Sequence, residues 1–256
     1  MSAFQIHLFP CLSDNFGVLV HDPESGATVS IDAPQAEAVL KALEETGWTL
    51  SELWITHHHK DHTDGIADVK ARTGAHVIGP RPEANRIAGL DAQVGEGDTF
   101  AFAGREVRVI ETPGHTAGHI AYWLPEEELA FVGDTLFALG CGRILEGTAE
   151  DMWGSLQKLA ALPPETQIYC GHEYTLANGR FALNVDAGNV ALKQRMAGVE
   201  QKVAAGKPTI PSTIAEELAT NPFLRAGEPE LAEAVGKPGA PAVEVFAELR
   251  ERKNRG

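Results

Sequence analysis

Residues 56–65, with the sequence THHHKDHTDG, place four imidazoles and two carboxylates within one short stretch. They follow the apolar run LWI at residues 53–55, which is typical of a buried strand. Because side chains alternate between faces in an extended chain, His57 and His59 should point one way and His58 the other. His57 and His59 are therefore candidate ligands, and His58 is expected to pack or to support them.

The next candidate ligands, Asp61 and His62, fall in the turn before a helix predicted over residues 65–73. Neutral imidazole and carboxylate are the ligands that borderline divalent metals use. A polyhistidine tag would lack the interposed aspartate and would not follow a core strand. The spacing therefore predicts a metal site.

Three further apolar strands each end in a histidine or an aspartate flanked by Gly or Thr, namely His115, Asp134 and His172. Strand ends on one edge of a sheet can bring together side chains that are distant in sequence. A structural zinc site uses four ligands, usually with cysteine, whereas a larger nitrogen and oxygen set suits two metals that share one carboxylate. The candidate ligands are His57, His59, Asp61, His62, His115, Asp134 and His172.

Several other polar residues lie near these motifs. Asp32, at the end of a predicted strand, either supports a ligand histidine by a hydrogen bond or is a plain turn residue. His119 is interpreted as an orienting residue rather than a ligand. Cys141, between two glycines, is interpreted as a small residue of a tight loop rather than a nucleophile.

The elements that must position these residues follow from the apolar periodicity and the turn residues. Strands are predicted over residues 4–9, 16–20, 27–31, 53–55, 76–78, 99–102, 106–110, 120–124, 129–132 and 167–170. Helices are predicted over 35–46, 65–73, 149–162, 175–185, 189–205, 213–218 and 242–253. In the last helix Val243, Phe246, Arg250 and Lys253 share one face, so the apolar pair should seat the helix and continue into the two cations.

Composition limits the class of protein. The chain has 256 residues with 43% hydrophobic content, which suggests one large domain and an appendage. A net charge of -15 disfavours nucleic acid or an anionic membrane as a partner. Three isolated cysteines, the lack of a basic and apolar leader and the lack of an apolar run of about 20 residues predict a cytoplasmic protein outside the membrane.

Six motifs are present together: THHHKDH at 56–62, TPGHTAGH at 112–119, GDTLF at 133–137, GCG at 140–142, YCGHEY at 169–174 and NPF at 221–223. This combination resembles the glyoxalase II, or hydroxyacylglutathione hydrolase, family of the metallo-β-lactamase superfamily. The resemblance implies an α+β protein with a four-layer αββα sandwich and a C-terminal α-helical domain. Residues 1–173 would form the metal-binding catalytic domain and residues 174–256 the helical substrate-binding domain.

The resemblance also implies an activity, the cleavage of S-D-lactoylglutathione to glutathione and D-lactate. Two divalent ions would take part, zinc first, with iron or manganese as the other candidates. By position, Asp134 would bridge the two metals, and Asp61 and Asp134 would be the catalytic carboxylates. The two ligand sets would be His57, His59 and His115 for one metal and Asp61, His62 and His172 for the other.

By the same resemblance, glutathione would contact Arg143, Tyr174, Arg250 and Lys253. The chain departs from the family pattern at Leu145, where eukaryotic members commonly have tyrosine, and at Asn254, where aspartate is usual; it also ends at Gly256 without the usual terminal aromatic residue. These departures concern recognition of the thiol moiety. A monomer without a nucleic-acid or membrane partner is expected.

Three other functions compete with hydrolysis. A glutathione-persulfide dioxygenase would use a single iron held by two histidines and one carboxylate. A nuclease of the same superfamily is disfavoured by the acidic charge. A non-catalytic metal-binding or scaffold protein is disfavoured by the complete set of ligands.

Overall fold

The computed structural model describes residues 3–255, and these residues divide into two compact units. Unit 1 comprises the described residues up to Glu111 together with Thr116–Gly133. Unit 2 comprises Thr112–His115 together with the described residues from Asp134 onward.

The first sheet of unit 1 has its six strands in the order in which they occur in the chain. The strands are β1 (Gln5–Cys11), β2 (Asn15–His21), β3 (Thr28–Ile31), β4 (Glu52–Trp54), β5 (His76–Pro80) and β6 (Ala92–Val94). β1, β2 and β3 are antiparallel, whereas β3 to β6 run parallel. The ends of β3 and β4 therefore lie side by side, with Ile31 paired with Trp54, and the polar residues that follow both strands emerge together.

Helices cover one face of this sheet. They are α1 (Ala36–Thr46), the short α2 (Lys60–Thr63) and α3 (Ile66–Thr73). Val39 of α1 and Val69 of α3 pack in one core with Leu53 and Ile55. Burying these apolar side chains stabilises the layer by roughly 1.5–3 kcal/mol each. The helix that follows the histidine motif is therefore anchored to the strand that precedes it.

The second sheet of unit 1 is an antiparallel meander. Its strands are β7 (Thr99–Phe102), β8 (Arg105–Glu111), β9 (Ile120–Leu124) and β10 (Leu129–Gly133). Trp54 points away from the helices and contacts Phe102 and Tyr122 of this sheet, at ring-centroid distances of 5.3 and 5.2 Å. The Tyr122 hydroxyl donates to the Ile55 carbonyl over 2.8 Å, so the two sheets pack face to face around the end of β4.

Unit 2 is mostly helical. Its elements are β11 (Leu136–Phe137), β12 (Gly140–Cys141), α4 (Ala149–Ala160), β13 (Gln167–Cys170), α5 (Thr175–Val185), α6 (Val190–Ala204), β14 (Ser212–Thr213), α7 (Ile214–Thr220), α8 (Pro229–Ala234) and α9 (Ala242–Arg255). β11 and β12 form a hairpin, and β13 pairs with β14. α7 begins with a capping box, in which Thr213 and Glu216 exchange hydrogen bonds between side chain and backbone in both directions.

The sequence missed the shortest elements, α2, β6, β11, β12, β14 and α8. On α9 the predicted face is confirmed for Phe246 and Arg250, which are buried, but not for Val243. The buried residues of that helix are Val245, Phe246, Leu249 and Arg250, whereas Val243 is only half-buried. Two apolar residues spaced by four, Val245 and Leu249, bury more surface than Val243 does, and they rotate the inward face. In residues 3–255, no helix is both long and apolar enough to cross a membrane.

Candidate metal centre

The first two candidate ligands emerge from the end of β4. His57 Nε2 lies 3.1 Å from His59 Nδ1, so the two imidazoles converge as the alternation of side chains predicted. Thr56 Oγ1 lies 3.0 Å from the other His57 nitrogen, Nδ1. Thr56 is itself held by Asp32, which accepts from its backbone N–H over 2.7 Å and from its hydroxyl over 2.8 Å. The end of the strand and its first ligand are therefore fixed from one side.

Asp61 and His62 lie in α2 rather than in an open turn. His62 Nδ1 is 2.7 Å from Asp32 Oδ2, which confirms that Asp32 supports a ligand histidine. With its Nδ1 hydrogen donated to this carboxylate, His62 presents the lone pair of Nε2, which lies 3.9 Å from Asp61 Oδ2. Asn15 adds a hydrogen bond of 3.0 Å to the Asp61 carbonyl. Asp32 has a φ of 57°, the kind of backbone strain that functional sites retain.

His119 supports the site from the neighbouring sheet of unit 1. Its ring is fully buried and stacks on the ring of His57 with centroids 4.8 Å apart. Gly133, at the end of β10, has a φ of 47°, and a Cβ there would come within 2.6 Å of His119 Nε2 and 2.8 Å of Thr56 Oγ1. Only glycine fits at this position, which explains the Gly before Asp134 in the sequence.

In unit 2, His115, Asp134 and His172 converge. Asp134 Oδ2 lies 3.4 Å from His115 Nε2 and 3.3 Å from His172 Nε2, and all three residues are buried. His115 Nδ1 donates to the Arg143 carbonyl over 2.9 Å; because a carbonyl only accepts, that nitrogen carries the hydrogen. The other ring nitrogen, Nε2, faces a carboxylate oxygen, and a cation between these two atoms could bind both.

The side chains at this site are of the types that bind a divalent metal. Groups of histidine and carboxylate side chains that could hold an ion draw on His57, His59, Asp61 and His62 in unit 1. In unit 2 they draw on His115, Asp134 and His172. All are hard or borderline nitrogen and oxygen ligands, and the supporting bonds from Asp32 and Arg143 are those that orient metal-bound imidazoles.

The loop that carries Arg143 is tightly constrained within unit 2. A Cβ on Gly142 would lie 1.9 Å from the Asp134 carbonyl oxygen, so this position also requires glycine. The Gly142 N–H donates to the Thr135 carbonyl over 3.1 Å. Cys141 is buried beside them, which agrees with its interpretation as a small loop residue.

The four predicted glutathione contacts all lie in unit 2. Arg143 is exposed, and the Tyr174 ring stacks parallel to His172 at 4.8 Å. Lys253 Nζ donates to the Ala177 carbonyl over 3.1 Å. Burial lowers the pKa of Lys253, and the charges of Arg250 and Arg143 lower it further, so the three cations interact electrostatically. Their role as substrate contacts stays a prediction.

Arg250 is more buried than the sequence suggested, with 6% of its surface exposed. Its Nη1 donates to the Cys141 carbonyl over 2.9 Å, its Nε donates to Asn254 Oδ1 over 3.1 Å, and its guanidinium lies 5.2 Å from the centre of the Phe223 ring. Arg250 therefore supports the β11–β12 hairpin, a role that helical periodicity alone does not reveal.

The three cysteines are buried and form no disulfide. Burial raises the pKa of Cys11 and Cys170 to about 12 and that of Cys141 to about 11. Each thiol is therefore protonated near neutral pH and is a poor nucleophile.

Sequence reasoning missed Glu83, at the end of the 3-10 turn Arg81–Glu83. This buried carboxylate contacts the backbone of His58, between two candidate ligands. No motif surrounds it, and it is 25 residues from His58 in the chain. Arg81 and Arg86 flank it in the sequence, so Glu83 resembles an ordinary charged residue of a surface turn, and no local signal marks it.

Comparisons with known proteins agree with this architecture. The metallo-β-lactamase superfamily model matches residues 24–172, and the model of the hydroxyacylglutathione hydrolase C-terminus matches residues 173–256. The crystal structure of BLEG-1 B3 metallo-β-lactamase covers 86% of the chain and 99% of its own length, with a TM-score of 0.67 and 20% identity, which shows the fold alone. The structure of ETHE1 from Myxococcus xanthus covers 100% of both chains with a TM-score of 0.66 and 27% identity.

Relatives found by sequence share a higher identity with the chain than these two structures do. A hydroxyacylglutathione hydrolase of Rhizobium meliloti (strain 1021) is 54% identical over 254 residues and covers 99% of both chains. One from Maricaulis maris (strain MCS10) is 50% identical, again over 99% of both chains. Fold and donor groups thus define a metallo-β-lactamase-fold protein that binds divalent metal. Within that superfamily, the chain belongs to the hydroxyacylglutathione hydrolase family.

Proposed function

We propose that this protein is a thioester hydrolase that cleaves S-D-lactoylglutathione and other S-2-hydroxyacylglutathiones to glutathione and the free hydroxy acid, D-lactate in the first case. This activity would serve the removal of methylglyoxal. The observation that carries the proposal is the full-length similarity, at 50–54% identity, to relatives named for this reaction.

The proposed centre holds two divalent ions, zinc first, with iron or manganese as the other candidates. His57, His59 and His115 would bind one ion and Asp61, His62 and His172 the other, while Asp134 would serve both. Bound ions would lower the pKa of a water toward about 7 and polarise the thioester carbonyl. The donor chemistry within each unit supports this assignment, because His115 and His172 both face the Asp134 carboxylate and Asp32 orients His62.

The chain's own residues set the geometry in which the reaction occurs. Asp32 and the Arg143 carbonyl hold the tautomers of His62 and His115, so that both Nε2 atoms keep their lone pairs for binding. The leaving thiol of glutathione has an ordinary pKa of roughly 8.5 and departs as a thiolate. The site therefore works without a separate general acid.

The proposed contacts to glutathione are Arg143, Tyr174, Arg250 and Lys253. Glutathione carries two carboxylates and one ammonium group, so its site needs local positive charge on an acidic protein. Burial lowers the pKa of Lys253, and the charges of Arg250 and Arg143 lower it further; an anion among the three cations would offset their repulsion. The boundary of the substrate-binding domain at residue 174 is part of this proposal.

The proposed cellular setting is a monomer in the cytoplasm. Three buried thiols without a disulfide suit a reducing compartment. The acidic charge disfavours nucleic acid and anionic membranes as partners.

The test is the turnover of S-D-lactoylglutathione combined with elemental analysis of the purified protein. We expect hydrolysis with broad tolerance on the acyl side and close to two metals per chain. Strong activity on β-lactams or phosphodiesters, with none on glutathione thioesters, would contradict the proposal. Oxygen consumption with glutathione persulfide and one iron per chain would instead identify the dioxygenase, which the hydrolase relatives disfavour.

A further inference from the structure

Glu83 is a buried carboxylate that the proposed reaction does not use. Its side chain is 3% exposed, and burying a carboxylate is unfavourable unless hydrogen bonds compensate it. Glu83 Oε2 accepts from the His58 N–H over 2.7 Å and lies 2.8 Å from His58 Nδ1. Glu83 Oε1 accepts from the Gly118 N–H over 2.9 Å. One carboxylate therefore joins two loops of unit 1.

Both loops contribute to the position of one candidate ligand, His57. The first holds His58 between the candidate ligands His57 and His59. The second runs from Gly118 into His119, whose ring stacks on His57. Glu83 thus fixes the peptide that joins His57 to His58 on one side and, on the other, the loop that leads to the ring packed against His57.

Gly118 shows how closely Glu83 approaches. A Cβ at this position would lie 2.7 Å from Glu83 Cγ and 2.7 Å from Pro82 Cβ. Neither atom is the end of a flexible side chain, so any larger residue would separate the loop from the 3-10 turn. The two loops are joined by packing as well as by hydrogen bonds.

The bonding pattern requires a carboxylate. Each Glu83 oxygen accepts from a different backbone N–H. Glutamine offers one accepting oxygen and one donating NH2 group, which would face either the His58 or the Gly118 N–H. One buried backbone donor would then lose its acceptor, and the loops would separate.

We propose that Glu83 is a positioning residue for the metal centre: its two oxygens lock the His57–His59 segment to the loop of His119, and this lock sets the affinity of the unit 1 ligands for metal. The inference rests on the proposed function only in requiring that these histidines bind metal. Loss of a hydrogen bond that orients a metal ligand typically costs about 10- to 100-fold in metal affinity, and we expect an effect of that order from Glu83.

The experiment measures cobalt and zinc affinity by competition with a coloured chelator, without substrate. We expect Glu83→Gln to lower the affinity about 10- to 100-fold and to shift the visible spectrum of the cobalt-loaded protein at saturation. Asp22→Asn is the matched control, because Asp22 is an equally buried unit 1 carboxylate that accepts from the Ser25 N–H. It should lower stability and leave both metal readouts unchanged.

Gly118→Ala provides a second route that keeps every charge. It should lower metal affinity in the same way, whereas Gly198→Ala, where a Cβ meets nothing within 4 Å, should not. Folded Glu83→Gln with wild-type affinity and spectrum would overturn the inference. If Glu83→Gln does not fold, Gly118→Ala decides: unchanged affinity overturns the inference and lowered affinity supports it.

The outcome is separable from the proposed function. A wild-type protein that binds neither cobalt nor zinc would contradict the proposed function. A wild-type protein that binds metal and hydrolyses the thioester, beside a Glu83→Gln variant with unchanged affinity, would contradict only the role of Glu83.

Discussion

Among single residues, Asp134 is the one on which the proposed metal centre depends most. One of its carboxylate oxygens lies within 3.4 Å of both His115 and His172. If it serves both ions, Asp134→Ala should lose metal from both positions, as measured by elemental analysis. Asp151→Ala is the control, because Asp151 only caps α4 and its loss should cost stability alone. A variant that keeps two metals would refute the bridging role.

Asp22 should make the stability of the protein sensitive to acid. The Ser25 hydroxyl, followed by the Ser25 N–H and Arg105, holds the pKa of Asp22 at about 2. A depressed pKa contributes stability above the unfolded value of about 3.9, and that stability is lost as the pH falls toward the folded value.

We therefore expect Asp22→Asn to unfold at lower urea concentration than the wild type at pH 6. This difference should shrink steadily between about pH 4 and pH 2. Metal-free protein should be used for both, so that loss of metal in acid does not contribute. A constant difference across this range would show that Asp22 is not the titrating group.

At the scale of elements, α9 supports the β11–β12 hairpin and carries two of the proposed contacts to glutathione, Arg250 and Lys253. Lys253→Ala should raise KM by roughly ten- to a hundredfold, the equivalent of about 1.5–3 kcal/mol for a charge-assisted contact, with little change in kcat. Arg250→Ala should raise KM similarly and also lower the free energy of unfolding, because it leaves the Cys141 carbonyl without this donor. Arg255→Ala, two residues beyond Lys253 at the exposed end of α9, is the control.

Steady-state kinetics and urea unfolding on the same preparations separate the two contributions. An unchanged KM in both Lys253→Ala and Arg250→Ala would remove α9 from substrate recognition. Arg143 and Tyr174 would then be the remaining proposed contacts.

The elements also differ in how well the sequence predicted them. The strand before His57 and the alternation that brings His57 to His59 follow from local periodicity, and both were confirmed. The two-residue strands β11 and β12 are too short to have a period, although they determine where Arg143 lies. Asp61 and His62 were expected in a turn for the same reason, since α2 has only four residues.

The features of the site that the sequence did not predict depend on tertiary contacts. Glu83 acquires its partners His58 and Gly118 only when the chain has folded, and no local pattern encodes that contact. The support of His62 by Asp32 was one of two alternatives in the sequence, and the parallel pairing of β3 with β4 decided between them. The proposed contact of Arg250 with the substrate came from the family resemblance alone. Its hydrogen bond to the Cys141 carbonyl could not be predicted from the sequence.

At the scale of the whole molecule, the net charge affects how an anionic substrate approaches the protein. A net charge of -15 would repel an anionic thioester, and the proposed contacts Arg143, Arg250 and Lys253 would attract it locally. Because salt screens exposed charges over about 8–10 Å, added salt should narrow the KM difference between wild type and Lys253→Ala. Kinetics at several salt concentrations up to about 1 M test this expectation. A difference independent of salt would mean that Lys253 acts through packing.

The burial of the three cysteines has a consequence for an enzyme whose substrate is an activated acyl donor. Thioesters exchange readily with thiolates, so an accessible thiolate near the substrate would become acylated and compete with water. Because burial raises the pKa values of the three thiols to about 11 and 12, they stay protonated near pH 7. The burial of the three cysteines therefore protects the protein from acylation by its own substrate. The acyl group passes from glutathione to water and not to a cysteine of the protein.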